Sequence, residues 1–328
     1  MYKSFFNLKR NPFEITPDPS FLFATRKHNE ALASLYYGVR RHKGFVVMTG
    51  EVGTGKTLLI RCLLELLARN QVGFAYIFNS RLNAMEFLRY VAGDFGLTAA
   101  GKGKDELLLS ISDYLVERHR RKLTTLLVVD EAHHLSPEVL EEIRLLTNLE
   151  TPTQKLLQIL LVGQPELNQK LDSVHLRQLK QRIALRCNLE PLNDEETRAY
   201  IRRRLQLAGG NPEMTIFTDA AASAVYLHTR GIPRLINTVC ENALIAAYAR
   251  QAQEIDPDII DEIAADLRLG VITNDDDDFA AEESGDQLRN AANTLLRFHD
   301  FLQSNRTQQQ AKTPVTVRRG MREHEPLI

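Results

Sequence analysis

The sequence contains no long apolar run. Its most hydrophobic stretches, such as residues 126–129 and 159–162, have the length of a strand, whereas a helix that spans a bilayer needs about 20 apolar residues. We therefore expect no integral membrane segment. The first residues also lack the apolar core and the small-residue cleavage site of a secretory signal, so we expect the protein to be cytoplasmic.

Cysteine is scarce, and neither sign of charge is in excess. The three cysteines, Cys62, Cys187 and Cys240, lie far apart, which indicates buried packing residues in a reducing compartment. Lys and Arg total 41 against 42 for Asp and Glu, so no overall field attracts the chain to nucleic acid or to an acidic membrane. Any basic binding surface must be local.

Short β-rich runs alternate with helical patterns from Gly44 to about Glu190. This alternation is typical of an α/β fold, in which a parallel sheet is covered by helices on both faces. After Asn193 the strand patterns disappear, and three or four helices begin at capping residues or at a first-turn proline. The strands are predicted at residues 45–49, 74–78, 125–130, 157–162 and 183–189.

Composition divides the chain into six segments. Acidic, apolar-poor sequence predicts a solvated linker, and apolar residues at helical spacing after it predict a helix that either packs on the body or docks on a partner. From the amino end the segments are an N-terminal segment and helix (1–43), the α/β domain (44–190), a small helical domain (191–270), the acidic linker (271–285), the amphipathic helix (286–304) and a disordered tail (305–328).

A phosphate-binding pattern, G-x-x-x-x-G-K-[ST], runs from Gly50 to Thr57, directly after a strand and at the start of a helix. Its glycines let backbone N–H groups converge on phosphates, and the helix N-terminus adds about half a positive charge. Lys56 is expected to reach the β- and γ-phosphates, and the Thr57 hydroxyl to ligate Mg²⁺. The predicted nucleotide-binding residues are Gly50, Glu51, Val52, Gly53, Thr54, Gly55, Lys56, Thr57 and Leu58.

A buried strand that ends in two carboxylates supplies the second half of such a site. We expect Asp130 to hold the metal and Glu131 to orient and polarise the attacking water. The chain contains no Asn-Lys-x-Asp motif for reading guanine, which favours ATP over GTP. His133 and His134 lack the i, i+4 spacing of a helical zinc site, so we expect loop residues there.

The letters Asp-Glu-Ala-His at residues 130–133 also match a helicase motif. A helicase needs a second α/β domain of comparable size to complete its site. The region after Glu190 is short and helical, so we set the helicase hypothesis aside.

Three later motifs follow the phosphate loop and the two carboxylates, and the opening of the chain has motifs of its own. The later motifs are Gly163-Gln164-Pro-Glu, Gln181-Arg182-Ile and Gly231-Ile-Pro-Arg234; the opening motifs are Phe5-Phe, Asn11-Pro-Phe, Thr16-Pro-Asp-Pro, Phe21-Leu-Phe and His28-x-Glu30-Ala-Leu. The ordered motifs resemble those of AAA+ ATPases, and with the opening the chain resembles the ExeA/GspA-type ATPases of general secretion loci over about residues 1–268. The resemblance implies a P-loop αβα domain with a helical lid, hydrolysis of ATP with Mg²⁺, and a homo-oligomeric ring or spiral.

The resemblance also implies roles for four residues. Gln164 would sense the γ-phosphate or the attacking water, and Arg182 would be the arginine finger of a neighbouring subunit's site. Arg234, in the lid, would be a second sensor that also contacts the nucleotide. Asn79 resembles the polar residue that restrains the catalytic glutamate. The rival candidates for the finger are Arg177 and Arg186.

Three hypotheses for the function stay open at this point. The first is a motor or switch that remodels a protein partner in envelope export or polymer synthesis. The second is a DNA-binding regulator like the related ATPases of transposition, with three basic clusters as its contacts. The third is a nucleotide-gated adaptor with negligible turnover that recruits a partner through residues 286–304. The basic clusters are Lys102 with Lys104, residues 118–122 and residues 202–204.

Overall fold

The computed structural model describes residues 2–16, 18–78, 81–211 and 214–269. Its strands are β1 (Phe45–Gly50), β2 (Gly73–Ile77), β3 (Thr125–Val129), β4 (Gln158–Gly163) and β5 (Ile183–Leu189). They form one parallel sheet in the order β2-β3-β4-β1-β5. The predicted α/β fold with a parallel sheet is confirmed, and each predicted strand end lies within one residue of the observed one.

Twelve α-helices are present in the described ranges, and those predicted from capping residues begin at the expected positions. Ser136, Asn193, Thr218 and Asp256 each accept a hydrogen bond from the backbone N–H three residues on. The helices are α1 (Tyr2–Phe5), α2 (Arg26–Arg40), α3 (Lys56–Ala68), α4 (Ala84–Asp94), α5 (Lys104–Arg120), α6 (Pro137–Leu146), α7 (Glu166–Leu171), α8 (Arg177–Lys180), α9 (Asp194–Leu207), α10 (Asp219–Thr229), α11 (Pro233–Ala249) and α12 (Pro257–Asp266).

The sheet lies between two apolar cores, one on each face, and its central strands are buried on both faces. Along β3, Leu127 and Val129 face the core formed with α4, α5 and α6. Leu126 and Val128 face the opposite core, formed with α2 and α3. Successive side chains of a strand point to opposite faces, so a continuous apolar run fills both cores. The carboxyl ends of β1, β3 and β4 then lie side by side, along what we call the carboxyl edge of the sheet.

A third core joins the first residues of the chain to α9–α12. Phe6 and Phe13 are buried among these lid helices, and the Phe13 ring packs edge-on against Phe217. The Tyr2 hydroxyl donates to Glu241 Oε1 at 2.7 Å. The residues before α2 therefore form a strap across α9–α12, which we call the lid. The division of the sequence into segments did not predict this contact.

Arg204 fastens this strap. Its buried guanidinium donates to the carbonyl oxygens of Pro12 and Glu14, and it lies 4.3 Å from the centre of the Phe21 ring. The expectation that residues 202–204 form one basic surface cluster is therefore wrong at Arg204. On α9, two residues in every turn face inward, and only the structure shows that Arg204 is one of them.

Arg204→Ala is expected to lower the free energy of unfolding by about 2–4 kcal/mol, since it removes two hydrogen bonds and a cation–π contact and leaves the buried Pro12 carbonyl without this donor. Urea denaturation followed by circular dichroism measures this. Arg203→Ala is the matched control, because Arg203 is exposed on the same helix, and its midpoint should not move. Equal midpoints for the two variants would contradict the strap.

Several other expectations concern burial and the ends of the chain. Cys62, Cys187 and Cys240 are buried free thiols, as predicted, and burial raises the pKa of Cys62 to about 11. Within the described ranges, no helix combines the length and the apolar character needed to cross a bilayer. The predicted linker, amphipathic helix and tail at residues 271–328 lie outside the described residues, and the domain boundaries stay predictions.

Candidate functional site

The loop between β1 and α3 is shaped for an anion. Gly53 and Gly55 have φ values of +82° and +96°, which glycine adopts without the strain that a side chain would cause. Gly55 caps α3 without a side-chain hydrogen bond, so the first-turn N–H groups of α3 are left for a ligand. This backbone cradle fits the phosphates of a nucleotide.

Lys56 lies at the base of the loop and is only 7% exposed. Its ammonium group donates to the carbonyl oxygens of Gly50 at 2.7 Å and Glu51 at 2.9 Å. Burial lowers the pKa of Lys56, and the charges of Glu131 and Asp130 oppose that effect. The predicted phosphate-binding lysine is thus held between the loop and the two carboxylates. Glu51 and Val52 are exposed on the loop, and Leu58 is half-buried in α3.

Asp130 is buried where β3 ends. Its Oδ2 accepts hydrogen bonds from the Thr57 hydroxyl at 3.2 Å and from the Tyr76 hydroxyl at 2.7 Å, and its Oδ1 accepts the Glu131 N–H at 2.9 Å. A carboxylate beside a hydroxyl is an oxygen donor set that fits Mg²⁺, which usually takes one or two protein carboxylates together with substrate phosphates. Asp130 and Thr57 are the residues that would hold it.

Tyr76 carries no motif signal, because a tyrosine in a strand is ordinary for a β-former. Only the register of β2 against β3 brings its hydroxyl to Asp130. Burial and the neighbouring Asp130 carboxylate raise the Tyr76 pKa well above its usual value. The hydroxyl therefore stays protonated and acts as a donor that orients the carboxylate.

Glu131 follows in a left-handed conformation, with φ +51°. Such a backbone is uncommon for a residue with a side chain and is often found at functional sites. Burial and the Asp130 charge raise the pKa of Glu131, and Lys56 opposes them. Its Oε2 atom is buried and makes no hydrogen bond within the described residues, as expected for a carboxylate that acts on a bound molecule.

Gln164, where β4 ends, lies at the same edge and contacts His133. The Gln164 Nε2 atom is 3.0 Å from His133 Nε2, and His133 Nδ1 is 3.4 Å from Glu131 Oε2. Burial, His134 and Lys56 lower the pKa of His133 to about 4, so its imidazole is neutral at pH 7. Both histidines lie in the 3₁₀ turn Ala132–His134. The described ranges contain no cluster of three metal-ligating side chains.

The lid reaches the loop at Arg234, in the first turn of α11. The Arg234 N–H donates to the Gly53 carbonyl at 3.2 Å, and a Cβ atom on Gly53 would lie 2.7 Å from the Arg234 Cβ. The structure thus places the predicted second sensor beside the phosphate loop. Asn79, the predicted restraint on the glutamate, lies outside the described residues.

Comparison with known proteins agrees with this geometry. The AAA domain family matches residues 39–171. Over 256 residues, or 78% of the chain, the sequence is 46% identical to general secretion pathway protein A of Aeromonas hydrophila. The chain is an ATPase with an AAA domain, similar to this secretion protein over most of its own length. It spans only 46% of that relative's length.

Two solved structures share the fold of this ATPase. Cdc6p of Pyrobaculum aerophilum superposes with a TM-score of 0.62 at 19% identity, over 80% of this chain and 72% of its own. The ORC2 protein of Aeropyrum pernix, in complexes with ADPNP and ADP, gives 0.59 at 18% identity, over 78% and 71%. At these identities the likeness shows the fold alone, and the expected AAA+ fold is confirmed.

A pocket of the ATPase opens beside the phosphate loop, between the strap, the loop and the lid. The His28 imidazole in its wall contacts the Thr25 hydroxyl at 2.8 Å and bonds to the Thr54 backbone. The opening motifs at residues 21–23 and 28 line this pocket, a role that their spacing in sequence does not reveal. The lining residues are Phe21, Leu22, Phe23, His28, Thr54, Gly55, Leu58, Leu192, Tyr200 and Pro233.

Arg182 lies at the other end of the strands, along the amino edge of the sheet where the strands begin. It precedes β5, where Ile183 pairs with Phe45 at the amino end of β1, and its Nη1 donates to the Thr147 hydroxyl at 2.7 Å. The rivals differ in their surroundings: Arg186 donates to Asn168 and Asp172, whereas Arg177 is exposed. The structure therefore does not bring Arg182 to the phosphate loop of its own chain.

Proposed function

We propose that this ATPase works as a homo-oligomer, a ring or a spiral, in which Mg²⁺-dependent ATP turnover remodels a protein partner in secretion, envelope or exopolysaccharide export. The observation that carries the proposal is the division of the catalytic groups. Lys56, Asp130 and Glu131 meet at the carboxyl edge of the sheet, whereas Arg182 lies at the amino edge. The name of the Aeromonas relative supports a place in secretion.

The groups at the carboxyl edge have complementary tasks in hydrolysis. The phosphate loop and Lys56 bind and orient the triphosphate, and the oxygen atoms of Thr57 and Asp130 would hold Mg²⁺. Mg²⁺ would neutralise charge on the phosphates. The Glu131 carboxylate, with one oxygen free of hydrogen bonds, orients the attacking water. Gln164 has an amide donor for the γ-phosphate or that water.

The pocket beside the loop suits the base of ATP. Aromatic residues such as Phe21, Phe23 and Tyr200 offer faces on which a purine can stack, and His28 offers a polar group. The pocket walls come from the strap, the loop and the lid. A base bound there would couple the lid position to nucleotide binding, as would contact of Arg234 with the phosphates.

Distance within the sheet supports a finger supplied by a neighbouring subunit. The ladder between β1 and β5 runs from Phe45 and Ile183 to Gly50 and Leu189. At about 3.3 Å per residue, this places Arg182 roughly 20 Å from the Gly50 backbone. That is farther than an arginine side chain extends, so a finger role for Arg182 requires the site of another subunit, in a head-to-tail interface.

Arg182→Ala is expected to lower turnover about 10³-fold while ATP binding persists, since a finger stabilises charge in the transition state. Mixing it with Lys56→Ala is the decisive measurement, because each variant retains what the other lacks. In an equal mixture, about a quarter of the interfaces combine an intact site with an intact finger, so about a quarter of wild-type activity should return.

Neither variant alone should recover activity at any concentration. Arg177→Ala tests the rival candidate and should keep turnover. A mixture that stays inactive although both variants assemble would exclude a finger in trans. A monomer that hydrolyses ATP without Arg182 would remove the oligomer from the proposal.

Contacts within the fold weaken the case for DNA binding by the basic clusters. In the proposed basic clusters, Lys104 pairs with the buried Glu142, Arg118 donates to the backbone at Gln71 and Thr124, and Arg204 holds the strap. These cations stabilise the fold rather than face a ligand. We place the ATPase in the cytoplasm because ATP is supplied there and its three thiols are reduced.

A further inference from the structure

The turn after Glu131 is held tightly against the end of β4. A Cβ atom on Gly163 would lie 3.2 Å from the His133 backbone nitrogen, so only glycine allows this approach without displacement. The Lys170 ammonium, on the helix that follows Gln164, donates to the carbonyl oxygens of His133 and Leu135. The turn and the segment after β4 are therefore in direct contact.

The His133 ring lies between the two side chains that these segments carry. Its Nε2 is 3.0 Å from the Gln164 amide nitrogen. Its Nδ1 is 3.4 Å both from Glu131 Oε2 and from the Gln164 backbone nitrogen. Because a neutral imidazole has one N–H group and one lone pair, the position of its proton decides which neighbours it can satisfy.

The tautomer decides which of these contacts are hydrogen bonds. With the proton on Nδ1, Nε2 accepts the Gln164 side-chain N–H at 3.0 Å, and the Gln164 backbone N–H loses its acceptor. With the proton on Nε2, Nδ1 accepts that backbone N–H, and a flipped Gln164 amide meets the ring through its oxygen. In both tautomers the ring contacts Gln164, and its Nδ1 atom lies 3.4 Å from the buried Glu131 Oε2.

We propose that His133 is a positioning residue that holds the Glu131 carboxylate in place and links it to Gln164. The proposal rests on the roles proposed above for Glu131 and Gln164. A change at Gln164 when it meets the γ-phosphate is then passed through the ring to the carboxylate that orients water. ATP binding does not depend on this link, because Lys56 and Thr57 are held by other contacts.

Three substitutions at His133 separate the two contacts. His133→Ala removes both and is expected to lower kcat about 10- to 100-fold, with the ATP dissociation constant within about twofold, because a small displacement of a catalytic group is costly. His133→Asn places an amide near the Nδ1 position and should recover part of kcat. His133→Gln places it near Nε2 and should not.

The measurements are steady-state turnover, equilibrium binding of a fluorescent ATP analogue, and the unfolding temperature. His175→Ala is the matched control, since His175 is an exposed histidine outside the site. In a Glu131→Gln background, His133→Ala should cause no further loss, because the two residues act as one unit.

Different outcomes overturn different statements. Full turnover in His133→Ala, with Glu131→Gln inactive, would overturn the role of His133 and leave the proposed function intact. Normal turnover in Glu131→Gln would overturn the proposed function at Glu131 itself. A parallel fall of kcat, ATP affinity and unfolding temperature in all three variants would show that His133 merely supports the fold.

Discussion

Lys56→Ala is expected to weaken ATP binding by about 100-fold or more, since each charge-assisted hydrogen bond to a phosphate contributes about 1.5–3 kcal/mol. In the structure the ammonium group is buried and held by the Gly50 and Glu51 carbonyl oxygens, so the loop itself orients it. Alanine cannot replace that charge, and water reaches this position poorly.

Binding is measured directly with a fluorescent ATP analogue, and indirectly by the rise in unfolding temperature that bound ATP causes. Wild type should show the rise and Lys56→Ala should not. Lys43→Ala is the control, because Lys43 is an exposed lysine just before β1, at the other edge of the sheet. Wild-type affinity in Lys56→Ala would mean that the loop is not the nucleotide site.

Glu131→Gln is expected to keep ATP binding and to lose turnover by about 10²- to 10³-fold, the range that a positioned base contributes. Glutamine preserves the volume of the side chain but cannot accept a proton from water. The buried Oε2 atom and the strained backbone at Glu131 indicate a group arranged for chemistry. Because ATP stays bound, we also expect the variant to accumulate in its assembled state.

Turnover and particle size with ATP and Mg²⁺ test this together. Glu254→Gln changes an exposed glutamate in the lid and should match wild type in both. A Glu131→Gln protein that hydrolyses ATP normally would assign the base to another residue. Loss of binding along with turnover would indicate instead that Glu131 supports the loop.

Local patterns predicted the elements of this fold well. Apolar runs such as residues 126–129 could be assigned to buried strands because their composition suits burial on both faces, and Ser136 and Asn193 could be assigned to helix starts because capping is a local interaction. The phosphate loop was likewise readable, since its residues are contiguous.

Contacts between distant residues were not predictable in this way. Nothing near Tyr76 in the sequence indicates that its hydroxyl meets Asp130, and His133 was expected to be only a loop residue. Arg204 appeared to belong to a basic surface cluster, although it is buried against the strap. Each case depends on which face of a strand, turn or helix packs against a partner from another segment.

The sequence by itself determined the α/β fold with its parallel sheet and the position of the phosphate loop, because glycine spacing, strand composition and helix caps act over a few residues. Only the tertiary structure decided that Arg182 lies roughly 20 Å from its own phosphate loop, that the strap and lid close a pocket beside it, and that His133 lies between Glu131 and Gln164. Those facts depend on strand order and register, which arise from packing the whole chain around its cores.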